Sequence, residues 1–181
     1  MIAFPDGLRM PIASHLNGRR YFVVRCDHVE PTADRLAEIV SICNEPEVYG
    51  WLFREVLGGL VYPPEKARGW LSWAAEGWRA NSHFCFAVTD ESGGIVAACD
   101  IKSSDPDGAE IGYWASALHR GVMTNAVDAM CGAARQAGFR SLMAWVRHGN
   151  IRSLAVLARV GFRPDVARRE KTRDCFTLEL T

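Results

Sequence analysis

The sequence predicts one α/β domain of the α+β kind, a mixed sheet with helices on its faces. Three observations carry that reading. Runs rich in β-branched and aromatic residues alternate with segments whose apolar residues recur at helical spacing. The segments that follow residues 116 and 146 are crossovers long enough to favour parallel neighbours locally. The 181-residue chain also falls within the size that a single hydrophobic core can serve.

The elements follow in order. Pro5, Gly7, Pro11 and then Asn17 and Gly18 break up the start of the chain, so residues 1–19 read as an N-terminal arm and residues 20–181 as the domain. RYFVVRC (20–26) is the first strand, and Pro31 opens a helix running through Cys43 with Leu36, Ile39, Val40 and Cys43 as its apolar stripe. From Tyr49 to Arg79 the chain reads as two helical pieces broken by GGLVYPP. This stretch carries Trp51, Trp70, Trp73 and Trp78, as an aromatic rim for a substrate or as ordinary packing against a sheet or a second subunit. HFCFAVT (83–89) and GIVAACDI (94–101) form a hairpin around Asp90–Gly94, and AEIGYWAS (109–116) is the next strand. Val122, Ala126, Ala129, Met130, Ala133 and Ala137 keep helical spacing, with Gly138 as the C-cap. SLMAWV (141–146) is a strand, 151–159 a short helix and CFTLEL (175–180) the closing strand.

Composition narrows function. Lys plus Arg and Asp plus Glu both number 21, so no net field draws the chain to nucleic acid or to an anionic membrane. The local cluster of Arg163, Arg168, Arg169, Lys171 and Arg173 reads as a solvated edge near the last strand or as a positive face. Six widely spaced cysteines in apolar runs read as reduced core thiols. The chain shows no signal-peptide pattern and no run of roughly 20 apolar residues, so the expected location is the cytoplasm. No residue cluster has metal-ligand spacing.

Leu118-His119-Arg120-Gly121-Val122-Met123-Thr124 leads from a strand straight into a helix. Its amides can hold a pyrophosphate, because the first N–H groups of a helix lack intrahelical partners and the dipole there favours negative charge. Gly121 permits close approach, Arg120 offers a charge-assisted contact and Thr124 a hydroxyl donor. The same residues also suit an ordinary strand-to-helix turn.

Two segments, YWASALHRGVMTNAV and HGNIRSLAVLARVGF, are similar to the acyl-coenzyme A core of the GNAT superfamily of N-acetyltransferases, particularly the branch acting on N-terminal amines of ribosomal proteins. Asn150, Ser153, Leu157, Gly161 and Phe162 match Asn-x-x-Ser-x-x-x-Leu-x-x-x-Gly-Phe of that branch. Met123, Thr124 and Ala126 match its helix start, with Asn125 in place of the usual glutamate. The family loop reads Gln/Arg-x-x-Gly-x-Gly/Ala; here Ser116 leads, His119 replaces the earlier glycine and Gly121 closes it.

The resemblance implies a mostly antiparallel central sheet with a splayed strand pair for acetyl-CoA. It implies transfer of an acetyl group to a primary amine, of a small metabolite or a protein N-terminus, by direct attack in a ternary complex; a non-catalytic acyl-CoA-binding module is the alternative. Trp114, Ala115, Ser116, His119, Arg120, Gly121, Val122, Met123, Thr124, Asn150 and Ser153 are the implied cofactor contacts. Glu110 is the candidate base, Ser153 the candidate acid with Tyr113 as a second, and the tryptophan-bearing helical region 49–80 the candidate acceptor pocket. Glu110 is otherwise a strand carboxylate and Ser153 a local helix-capping group. A monomer or homodimer is expected.

Overall fold

The computed structural model describes residues 2–180. Met1, within the expected arm, and Thr181, at the end of the expected domain, lie outside them. Among the described residues, β1 (Arg9–Ala13), β2 (Arg20–Arg25), β3 (Phe84–Thr89), β4 (Ile95–Ile101), β5 (Asp107–Ala115), β6 (Ser141–Arg147), β7 (Arg163–Arg169) and β8 (Arg173–Glu179) form one sheet in the order β1-β2-β3-β4-β5-β6-β8-β7.

The first correction concerns the arm. Arg9–Ala13 forms β1, paired antiparallel with β2 (Arg20–Arg25) from Arg9↔Val24 to Ala13↔Arg20. Met10 and Ile12 sit two apart and pack on the core, and Pro11 is tolerated because β1 is an edge strand. Ahead of it, Ile2 is buried and Phe4 packs against Trp78, Phe84 and Phe86. The breakers therefore shape an edge strand and its turn without detaching the segment from the domain.

α1 (Ala33–Cys43) starts where the Thr32 hydroxyl accepts from the Arg35 N–H, at 3.3 Å. A single turn, α2 (Pro46–Val48), continues into a wide π-turn at Tyr49–Phe53. α3 (Pro64–Ala80) begins on a proline and stops at Asn81, whose φ of 51° is left-handed. β3 (Phe84–Thr89) and β4 (Ile95–Ile101) form the expected hairpin. They carry the most buried strand sequence in the chain.

β5 (Asp107–Ala115) leads into α4 (Val122–Ala137), which ends at left-handed Gly138, φ 108°. β6 (Ser141–Arg147) then pairs parallel with β5, as the first crossover predicted. The second crossover behaves differently. α5 (Ile151–Val160) leads to β7 (Arg163–Arg169), which pairs with β8 (Arg173–Glu179), and β8 inserts antiparallel beside β6. β7 is an exposed, arginine-rich edge strand with no alternating apolar pattern to reveal it, so the basic cluster lies on the sheet's rim.

α4 and α5 cover one face, where Val122, Ala126, Val127, Met130 and Leu157 pack on the strands. α1 and α3 cover the other through Leu36, Ile39, Ala67, Leu71 and Ile95. All six cysteines are buried and free. Among the described residues no helix is long and apolar enough to cross a membrane.

Candidate active site

The site begins where the sheet opens. β5 and β6 pair only at Asp107↔Ser141, Ala109↔Leu142 and Glu110↔Met143, although both strands run on. Each is held along its outer edge instead, β5 by β4 and β6 by β8. The resulting cleft belongs to a cavity of about 770 Å³ that reaches the turn before α4.

Ladder alternation decides which backbone groups face it. The Lys102 N–H donates to the Glu110 carbonyl (2.8 Å) and the Ser116 N–H to the Val96 carbonyl (2.9 Å), so even-numbered residues of β5 direct their polar groups at β4. Ile111, Tyr113 and Ala115 then turn N–H and C=O into the cleft. This corrects the expectation for Trp114–Ser116: of those three, Ala115 alone offers its backbone. Trp114 lines the cavity, and its ring meets Trp70 edge-on at 5.7 Å.

Ser116 is committed to structure. Its hydroxyl donates to one carboxylate oxygen of Glu45 (2.6 Å), and the Ala117 N–H donates to the other (2.6 Å). Glu45 thereby clamps the 3-10 turn Ala117–His119, a role its sequence surroundings did not signal. Gly121 follows with φ 84°. A β-carbon there would stand 2.6 Å from Ser14 Oγ and 2.7 Å from Leu16 Cγ, because the β1–β2 turn lies against it. Ser14 donates to the Arg120 carbonyl and the His15 N–H to the Gly121 carbonyl.

Beyond Gly121, the N–H groups of Val122, Met123 and Thr124 occupy the first turn of α4. Thr124 Oγ1 is buried with no hydrogen-bond partner, and Thr124 lines the cavity. Unpaired amides, an orphaned hydroxyl and the exposed Arg120 side chain suit a phosphate group. His119 lines the same wall, 3.0 Å from the Tyr21 hydroxyl. Burial, helped by Arg19, lowers its pKa, which favours the uncharged ring at neutral pH.

The candidate acids come together. Tyr113 and Ser153 hydroxyls lie 2.7 Å apart, and Tyr113 also donates to the Ser153 carbonyl (3.2 Å). Burial pushes the Tyr113 pKa up to about 12, which keeps its proton available. Asn150, not Ser153, caps α5, its Oδ1 accepting from the Ser153 N–H at 3.1 Å, and its NH2 remains a donor beside the cavity it lines. Glu110 is on the opposite face of β5, ion-paired with Lys102.

The tryptophans divide. Trp51 lines the cleft beside Gly149, on a segment tied across it by the Glu47–Arg152 and Glu55–Arg147 ion pairs. Trp78 is core, donating to the Cys85 carbonyl (2.7 Å), and Trp73 stacks on His83. Of 49–80, the cleft is lined by Trp51 and Leu52, while on α3 Trp70 packs against Trp114, Trp78 enters the core and Trp73 stays exposed against His83.

Sequence reading also missed Asp100. It faces Gly112 across the β4–β5 ladder, and its Oδ1 is buried without a partner. The signal was present: an acid in the otherwise apolar run IVAACDI.

Comparison with known proteins agrees with this geometry. The fold matches the GNAT domain of S. lividans PAT (TM-score 0.69, 15% identity, 98% of this chain and 99% of that one). It matches Mycobacterium smegmatis RimJ in complex with CoA-disulfide (0.72, 18%, 94% and 86%). It also matches the ribosomal-protein-S5-alanine acetyltransferase of Vibrio fischeri (0.70, 16%, 95% and 96%). No curated protein sequence matches significantly. The family model described as an acetyltransferase (GNAT) domain matches residues 29–163, about three quarters of the chain, and the protein therefore belongs to the GNAT acetyltransferases.

Proposed function

We propose that the protein transfers an acetyl group from acetyl-CoA to a primary amine, of a small metabolite or a protein N-terminus, by direct attack in a ternary complex. The observation that carries this reading is the opening of β5 from β6, which leaves the polar groups of Ile111, Tyr113 and Ala115 facing a cleft that ends at the amides of α4. Acetyl-CoA supplies the activated acyl group and a thiolate leaving group when bound. Solved relatives hold CoA, or acetyl-CoA with AMP.

The chain's own groups then divide the work. Val122, Met123, Thr124 and Arg120 hold phosphate, while Ile111, Tyr113 and Ala115 pair with the amides of the cofactor arm and fix the thioester. Glu110 accepts a hydrogen bond from the incoming ammonium and relays its proton, directly or through water. Tyr113, oriented by Ser153, returns a proton to the departing sulfur. Free, buried thiols throughout the core suit action in the reducing cytoplasm.

The test is an acceptor screen of small amines and peptides with free N-termini, read by thiol release from acetyl-CoA, alongside calorimetric binding. Thiol release with at least one amine class is expected. Tight acetyl-CoA binding without turnover for any acceptor would instead favour a non-catalytic acyl-CoA-binding module, and absence of binding at millimolar ligand would overturn the cofactor reading.

A further inference from the structure

Asp100 presents a carboxylate that packing alone does not explain. On the β3 side it pairs with Cys85 and adjoins the cluster of Cys26, Ala74, Cys85 and Ala87. On the β5 side its neighbour is Gly112, which lines the cleft and has no side chain to shield it. A β-carbon on Gly112 would lie 3.1 and 3.2 Å from the two carboxylate oxygens and 3.2 Å from Lys102 Cε. Glu110, the other acid on this face, is already engaged by Lys102. A buried acceptor left unpaired costs stability, yet the chain keeps one at the edge of the acceptor side.

We infer that Asp100 is the terminal proton acceptor for the amine substrate, reached past Gly112, with the Glu110 carboxylate drawing the ammonium in beside it. The inference rests on the acetyltransferase reading. The ammonium loses one proton to the Asp100 carboxylate, and the free amine attacks the thioester carbonyl carbon. As the C–N bond forms and the C–S bond breaks, the nitrogen sheds a second proton and the thiolate gains one from the Tyr113–Ser153 pair, which takes up the proton the nitrogen lost. Asp100 then releases its proton to water. The sum is amide, thiol and one proton in solution.

Burial raises the Asp100 pKa to about 6; Lys102, the Gly112 N–H and His83 oppose the shift and Glu110 adds to it, while Oδ1 keeps no partner of its own. The groups facing it are Lys102 on its own strand, Glu110 on β5, His83 before β3, and the thiols of Cys26, Cys85 and Cys99, which burial keeps protonated. An acidic limb in kcat/KM near pH 6, set by Asp100, is therefore expected.

The experiment compares pH-rate profiles of wild type, Asp100→Asn, Glu110→Gln and His83→Gln with an acceptor found by thiol release. Asp100→Asn should lower kcat on the order of 100-fold, lose the acidic limb and bind acetyl-CoA as wild type does. Glu110→Gln and His83→Gln should keep the limb. A limb that survives in Asp100→Asn, or vanishes in either of the other two, overturns the inference while leaving acetyl transfer intact. Should Asp100→Asn fail to fold, Gly112→Ala serves: crowding the carboxylate should lower kcat at least tenfold, and parental kinetics would overturn the inference. Carbon-13 NMR of the Asp100 carboxyl gives a readout without turnover. Its midpoint should fall when saturating amine is added to the cofactor-free protein, and a midpoint indifferent to amine overturns the proposal. A wild type that releases no thiol with any amine overturns both this inference and the reading beneath it.

Discussion

If Asp100 is held charged at a cost, removing its charge should stabilise the protein in a pH-dependent way. Asp100→Asn keeps the shape and removes the ionisation. The folded-state pKa of Asp100 lies at about 6 against an ordinary value of 3.8, so between those limits the native state binds a proton that the unfolded chain has released. The contribution favouring the wild-type fold is complete below pH 3.8 and is lost as pH rises through 6. With each tenfold in proton affinity worth about 1.4 kcal/mol, the loss is about 3 kcal/mol. Asparagine brings a constant offset, on the order of 1 kcal/mol, because its NH2 also needs a partner; that offset cancels when two pH values are compared.

The assay is urea unfolding of both proteins at pH 4 and pH 8 without ligand, since bound acetyl-CoA would itself raise stability. Because pH 4 already lies just above the unfolded pKa, the difference between variant and wild type should grow in the variant's favour by about 2 kcal/mol from the lower to the higher pH. In thermal melts at pH 8 the gain corresponds to several degrees for a chain of this length. A difference that stays constant across this range refutes the argument, because it would mean that the Asp100 carboxyl titrates alike in the folded and unfolded states.

Two further substitutions test the rest of the site. Gly121→Val forces a β-branched residue into φ 84° and into Ser14 and Leu16; it should destabilise the protein by about 1–3 kcal/mol and weaken acetyl-CoA binding in calorimetry, and an unchanged Kd in folded protein would detach the turn from the cofactor. Trp51→Ala should raise the acceptor KM with little change in the acetyl-CoA KM or in melting, whereas Trp78→Ala should cost about 3–5 kcal/mol; equal effects of the two on melting would contradict their separate roles.

What the sequence revealed, and what it hid, follows from the range of the interactions concerned. β3 and β4 were legible as short continuous apolar runs and α4 by its helical period, and Gly138 marked the helix end by its own conformational freedom. β1 was hidden by Pro11, whose acceptability depends on an edge position visible only in three dimensions. β7 was hidden because an exposed strand of arginines needs no apolar alternation. Tyr113 and Ser153 were legible through a resemblance, yet their 2.7 Å contact spans 40 residues. Glu45 and Ser116, 71 residues apart, left no local trace, and neither did the gap that Gly112 opens beside Asp100.

The period of two along β5 explains how one strand can present different groups to its two faces. Tyr113 projects toward α5 and Ser153, while Glu110 and Gly112 stand on the face shared with Lys102 and Asp100. Between the faces runs the cleft, kept open because β4 and β8 anchor β5 and β6 from outside. The inward polar groups of Ile111, Tyr113 and Ala115 lack a strand partner there, and buried backbone groups left in that condition are costly. An extended ligand rich in amides would complete the ladder, with the Tyr113 face on one side of its reactive end and the Glu110 and Asp100 face on the other. One residue inserted between Glu110 and Tyr113 would leave every side-chain type in place and yet put both functions on the same face. Such a variant should retain the fold at the outer ladders and lose turnover.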